Sequence, residues 1–281
     1  MNKLLSSNFS RLWKNNIFWL YMGGMLIYAV GYMLYSGQGP VSRITGEPYP
    51  LEHYYFQFLL YIGFFFASVT SMFLGTEYSD GTIRNKVIAG HTRTRIYLAN
   101  LIVSYVSDLA IMGVWLIGAL VGVPALGFFT LRPADLVGYF LICILLAAAY
   151  SAINTFIVML SSNKTFAVWA SMAVWFVLLL CASSLYNALE ASETIHTMSG
   201  VTIGGGAALV GEEVPNPNYI REPMRTIFQI LLNILPTGQS AMLAFLEIKP
   251  YTMMLSSVAV TVSVTALGIV RFRRKDLKYG V

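Results

Sequence analysis

The sequence predicts an all-α integral membrane protein with six transmembrane helices, on three observations. Of 281 residues, 57% are apolar and only 11% are charged, whereas soluble domains carry about 25% charged residues. So little charge cannot wet the surface of a globule. The charges are also clustered, leaving long uncharged windows, and Lys and Arg gather on one set of connections. These features exclude a secreted or cytosolic enzyme, a disordered scaffold and, despite a net charge of +5, a nucleic-acid binder.

A membrane helix needs roughly 20 apolar residues to cross about 30 Å of hydrocarbon. Windows 15–42, 53–76, 96–131, 136–163, 165–189, 226–246 and 250–270 meet that length, the third interrupted only by Asp108. Spans are expected at about 17–36, 56–75, 97–122, 136–160, 165–186 and 251–270. Window 226–246 differs, because Pro236, Thr237 and Gly238 form a turn in its middle. Two pieces of about ten residues result, too short to cross, so a re-entrant pair entering from outside is expected before span six.

With six spans both termini share one side. That side then holds 13 Lys and Arg residues and the other holds 5. The positive-inside rule makes the first side cytoplasmic. A seventh span would move Arg271, Arg273, Arg274, Lys275 and Lys278 outside. The basic surplus therefore faces lipid headgroups, and the whole of 1–281 reads as a single transmembrane domain.

At the start of the chain, Leu5, Phe9, Leu12 and Trp13 recur at helical spacing among Lys3, Arg11 and Lys14. This predicts a helix lying in the inner interface rather than a signal peptide. The external segment 187–249 is expected to be a flexible loop through Gly200, Gly204, Gly205, Gly206 and Gly211. Cys143 and Cys181 fall in apolar runs and should be reduced, dispensable hydrophobes. His53, His91 and His196 lie in different loops, and no phosphate loop or Gly-x-Ser-x-Gly motif is present. No metal, cofactor or catalytic chemistry is expected of the chain itself.

Asp108 lies 12 residues beyond Ile96, about 18 Å along a helix. A carboxylate at that depth is costly and usually faces protein interior or a watery path. It marks either a translocation path or dimer interface, or a structural carboxyl bonded through a group such as Tyr150 or Asn154.

The cytoplasmic segment 77–95 is the most specific. Asp80-Gly81 signals a turn, Thr82 can cap a helix, Gly90 can end it, and Thr92 can cap the next. A short helix between spans two and three is expected, displaying Arg84 and Lys86. Ile83 and Val87 share one of its faces and want an apolar partner.

Glu77-Tyr78-x-x-Gly81-Thr82-Ile83-Arg84-x-Lys86, followed by Gly90-x-x-Arg93-x-x-Ile96-Tyr97, resembles the membrane subunit of type-2 ATP-binding-cassette exporters. Leu235-Pro236-Thr237-Gly238-Gln239 and the basic segment 271–278 are similar to features common in its bacterial members. The resemblance implies a dimer of identical or related permeases in a bacterial plasma membrane, multi-pass, with both termini cytoplasmic. It implies a separate cytoplasmic ATPase that holds the ATP and Mg²⁺ and is gripped by the segment after span two. Carried over, Glu77 and Arg84 become polar contacts of that coupling segment, Ile83 and Val87 its apolar anchors, and Gly81 its turn. Tyr78, Thr82 and Lys86 complete it. The implied substrate is a hydrophobic or amphipathic peptide, antimicrobial or drug, with a lipid or glycan as the alternative. A scaffold or intramembrane enzyme outside this family would need paired polar groups within spans, and Asp108 is the one carboxylate there.

Overall fold

The computed structural model describes residues 1–36, 50–203, 206–246 and 249–276. Arg43, Glu47, Gly204, Gly205, Glu247 and Lys278 lie outside the described residues. Six helices are long and apolar enough to span: α2 (Asn16–Ser36), α4 (Leu59–Ser79), α6 (Arg93–Ala119), α8 (Pro133–Leu160), α9 (Lys164–Glu190) and α12 (Pro250–Arg274). Helix α1 (Asn2–Trp13) precedes them. Short helices α3 (Leu51–Tyr55) and α7 (Val123–Leu126) lie at the end remote from the coupling segment.

The bundle is built around α4. In the span that includes it, 72% of the most apolar stretch is buried, against 17% for α9 and for α12. Helix α4 packs against α9, α8, α6 and α2, while α12 packs chiefly on α8. Peripheral helices present Trp169, Phe176 and Leu180 on α9, and Tyr251, Leu255 and Val262 on α12, to the surroundings. In a bilayer such exposure carries no penalty, because lipid is as apolar as the side chains.

Several helices outrun the apolar windows that predict them. Helix α4 continues to Ser79, α9 to Glu190 and α12 to Arg274. Glu77 and Tyr78 are consequently the last turn of a spanning helix, not loop residues. A charge need not end a span when the protein neutralises it internally, as happens at Glu77.

Between spans two and three, helix α5 (Thr82–Ile88) has Gly81 as its N-cap at φ 64°, so Thr82 is its first residue rather than its cap. At the other end Gly90 adopts φ 84°. Its N–H donates to Val87 O and that of His91 to Lys86 O. This double closure needs a left-handed residue, which glycine adopts without a Cβ clash. Thr92 caps α6 through its side chain, as expected.

Segment 187–249, expected to be a flexible loop, is not all loop. Strands β1 (Thr194–Ile203) and β2 (Gly206–Pro215) pair antiparallel, from Thr194 opposite Pro215 to Ile203 opposite Gly206. Asn216 closes the base, its N–H donating to Glu193 O and its side chain to Ser192 O. The Val, Ile and Thr residues among the glycines favour this extended form, a signal outweighed at the sequence level by the glycine count. The membrane body remains all-α.

Window 226–246 folds as two helices, α10 (Met224–Ile234) and α11 (Pro236–Ala244), meeting at 95°. Pro236 opens α11, where its missing N–H costs no bond. All nine residues of α11 are buried. Thr237 Oγ1 donates to Leu178 O of α9 at 2.7 Å, and Gln239 Nε2 to Asn233 O at 2.7 Å. Ser257 of α12 donates to Gln239 Oε1 at 2.6 Å. The bend thus finds partners in protein for Thr237 and Gln239, as the bilayer requires. At Gly238 a Cβ would stand 2.2 Å from Leu232 O. Gly238→Ala should therefore lower stability by about 1–3 kcal/mol, read as a fall in unfolding temperature of the purified protein; an unchanged transition would contradict this tight approach.

Candidate functional site

Segment 77–95 is held by a buried ring of four side chains. Lys86 Nζ on α5 donates to Glu77 Oε1 at 2.6 Å and to Asn8 Oδ1 at 2.8 Å. Asn8 Nδ2 on α1 donates to Asn100 Oδ1 at 2.7 Å. Asn100 Nδ2 on α6 returns to Glu77 Oε2 at 2.7 Å. Arg11 adds a second cation, 2.8 Å from Glu77 Oε1, with its guanidinium 4.7 Å above the Phe73 ring.

Four elements, α1, α4, α5 and α6, therefore meet on one carboxylate that is 0% exposed. Both Glu77 oxygens are bonded. Burial pushes the Lys86 ammonium below the usual lysine range, and Glu77 beside it pulls it back up. A buried ion pair is tolerated only with such additional hydrogen bonds.

This placement revises three expectations. Lys86 is not displayed to the cytoplasm; it is buried within the ring. Ile83 does not wait for an outside partner, because Leu4, Ile96, Tyr97, Met159 and Phe272 enclose it, with half-buried Val87 packed beside them. Glu77 is likewise turned wholly inward. The face of α5 left outside consists of Arg84, Asn85, Ile88 and Ala89, and Ile88 is 70% exposed. Sequence reasoning missed Ile88 because it took the Ile83–Val87 stripe as the docking face, whereas that stripe is the one α1 and α6 cover.

Tyr78 stands at a second junction. Its hydroxyl donates to Met159 O at the end of α8, and Lys275 Nζ lies 4.2 Å above its ring. Lys275 also donates to Met159 O at 3.1 Å and to Ser161 O at 2.6 Å. A cation there complements the negative C-terminal end of α8. Arg93 reciprocates at the end of α12, donating to Phe272 O, Arg273 O and Lys275 O. Burial pushes the Lys275 ammonium down to about 8.

In the middle of the bundle Asp108 is 0% exposed and accepts from Ser151 Oγ at 2.5 Å. Thr70 of α4 also bonds to this carboxyl group, whereas Ser104 Oγ, Ser107 Oγ, Asn154 Nδ2 and Thr155 Oγ1 are buried without a partner among the described residues. The structure brings Asp108 to Ser151 but not to Tyr150, which turns to Ser240 of α11 at 3.0 Å. Asn154 is buried on the same helix without a bond from its amide nitrogen. A signal for this stripe exists in the sequence: Asn100, Ser104 and Asp108 recur every four residues, one face of a helix.

Glu77→Leu, which strands Lys86, should destabilise the purified protein by about 3–5 kcal/mol. Lys86→Met, which leaves Glu77 bonded to Arg11 and Asn100, should cost about 1–3 kcal/mol. The double variant should be milder than Glu77→Leu alone in denaturant unfolding, and strict additivity would contradict the ring. Lys275 supplies a pH test. Between about 8 and 10.5 the unfolded chain still binds a proton that the folded protein has released, so stability rises with pH across that window. Lys275→Met should lose that rise, measured by unfolding at a series of pH values.

Among described residues no group of His, Cys, Asp and Glu could hold a metal ion. No curated protein matches the chain. The family model described as ABC-2 family transporter protein matches residues 4–188, from α1 through five spans and the whole coupling segment. The chain belongs to that family, and is the multi-pass membrane permease component of an ABC transporter.

Proposed function

We propose that the chain is the permease of an exporter, driven by a separate cytoplasmic ATPase that docks on the outer face of α5. The observation carrying this reading is the anchoring of α5. A seven-residue helix, closed at both ends and pinned to α1, α4 and α6 by the Glu77 ring, moves only with the body it is fixed to. Force applied at Arg84, Asn85 and Ile88 is then delivered to spans two and three. In this reading Ile88 is the apolar anchor and Arg84 the orienting polar contact. Glu77, Tyr78, Ile83, Lys86 and Val87 make the helix rigid from within, while Gly81 and Thr82 set its entry. ATP and Mg²⁺ reside on the ATPase.

The substrate is a hydrophobic or amphipathic molecule of the peptide, antimicrobial or drug-like class. Support comes from the apolar outward faces of α2, α9 and α12, which allow lateral exchange with lipid, and from the few enclosed polar groups around Asp108, Tyr150 and Asn154. These faces also offer a surface for a second permease, identical or related. In this reading both termini lie in the cytoplasm of a bacterial cell and the turn at Pro236, Thr237 and Gly238 lies outside, an orientation that the charge bias supports.

Co-purification tests the docking. Membranes containing this chain and its ATPase should yield a complex that Ile88→Asp disrupts by about tenfold or more in affinity, since burying an unpaired charge in an apolar contact is costly. Arg84→Ala should keep much of the complex while transport falls. Normal binding in Ile88→Asp would remove α5 as the docking helix. In a background with Cys143 and Cys181 replaced, a cysteine at Thr226 should react with an impermeant external thiol reagent and one at Asn85 should not; the reverse pattern would invert the topology.

A further inference from the structure

The end of the bundle remote from the coupling segment holds a cavity of about 520 Å³. Its position follows from α9, whose first residue, Lys164, lies against Gly75 near the coupling end of α4. The cavity is lined by residues from the far end of α9, by α10 and α11, and by Lys249. Its volume falls within the about 300–1,000 Å³ range of small-molecule sites.

Two of its lining residues, Arg225 and Asn233, each keep one buried polar atom without a partner among the described residues. Arg225 Nη2 donates to Leu189 O at 2.7 Å and its guanidinium carbon lies 5.3 Å from the centre of the Tyr219 ring, which fixes the fork. Nη1 is buried and has no partner among the described residues. Asn233, 9% exposed, donates its amide to Gln229 O at 2.8 Å, leaving Oδ1 buried and unpartnered. A buried donor or acceptor left without a bond is costly, so both residues have bonding capacity that a ligand in the cavity can use.

The pair defines the ligand. A positioned guanidinium suits phosphate or carboxylate oxygens, and the carbonyl of Asn233, two turns further along α10, suits a hydroxyl donor of the same ligand. Lys249 adds a second positive charge, while Glu190 on the same wall disfavours a ligand carrying more than one negative charge. Leu189, Leu232 and Met242 make the remaining wall apolar. Next to it α10 exposes Ile227, Ile230 and Ile234, a face suited to lie in a lipid interface.

We propose that this cavity binds the singly anionic, hydroxyl-bearing phosphodiester headgroup of a lipid, with the start of an acyl chain against the apolar wall. That the lipid belongs to the outer leaflet rests on the topology proposed above; the binding does not.

The test uses the full chain in phosphatidylcholine nanodiscs, where both faces are open, with phosphatidylglycerol carrying a fluorescent acyl tail read by anisotropy. Phosphatidylglycerol should bind at least about tenfold more tightly than a phosphatidylcholine with the same tail. Arg225→Gln should abolish that preference, and Arg225→Lys should retain part of it. Gln229→Trp, which fills the cavity without changing charge, should weaken binding by about tenfold or more. Inorganic phosphate and glycerol phosphate should not displace the lipid at matched concentration. Equal binding of the two headgroups would overturn the proposal, as would unchanged preference in Arg225→Gln. Displacement by free phosphate as effective as by lipid would overturn the tail contact and hence the lipid. Where Arg225→Gln does not fold, Lys249→Gln and Gln229→Trp decide: unchanged binding in both overturns the site. Thiol labelling at Thr226 judges the topology independently, so failure of binding leaves that reading standing.

Discussion

A single carboxylate organises the end of this protein that carries helix α5. Glu77 sits at the last turn of the most enclosed helix, cut off from water, and an isolated charge there would be expelled or neutralised. It persists because Lys86, Arg11 and Asn100 come to it from three other elements. The dependence runs both ways. Helix α5 has seven residues, too short to be stable alone, and α1 has an apolar face that needs cover. The ring locks each of them to the spans, and the enclosure of Ile83 by Leu4 and Ile96 follows from that geometry. The low-dielectric setting makes every member of such a network matter.

At mid-depth the bundle behaves differently. Ser104 and Ser107 on α6 and Asn154 and Thr155 on α8 each have a buried polar atom without a partner among the described residues, whereas the Glu77 ring is fully connected. Satisfied networks fix a single arrangement, and partly satisfied ones leave room for alternatives. Rigidity is thus concentrated at the end that carries α5, and looser polar packing lies in the middle of the bundle. The broken pair α10–α11 joins the two regimes, since Tyr150, one residue from the Asp108 partner Ser151, is bonded to Ser240 of α11.

Much of the architecture was legible in the sequence, for physical reasons that differ by element. The six spans follow from uncharged length, and the break at Pro236 from a turn that no continuous helix accommodates. The limits of α5 were legible to within a residue because glycine chemistry is local. What escaped was which way side chains face. Ile83 and Ile88 are equally apolar, and only the presence of α1 over one side of α5 makes the first interior and the second exterior. Asn8 and Asn100 were invisible as partners, because 92 residues separate them and neither carries a motif. The hairpin 194–215 was read as loop because glycine masks β-branched neighbours. Lys275, counted as one more inner positive charge, turned out to be a cap for the end of α8.

The sequence separation of these contacts has a consequence for how the molecule is assembled. A chain entering the bilayer from its first residue exposes Asn8 and Glu77 long before Asn100 follows, so the ring can close only once the third span is in place. The junction at Tyr78 waits longer still, because Met159 O and Ser161 O at the end of α8 receive Lys275 only after α12 has inserted. Until then the end of α8 lacks its cation and α12 lacks the grip of Arg93. Completion of the last span is therefore registered at the end that carries α5, and a chain halted short of α12 presents an unfinished face there.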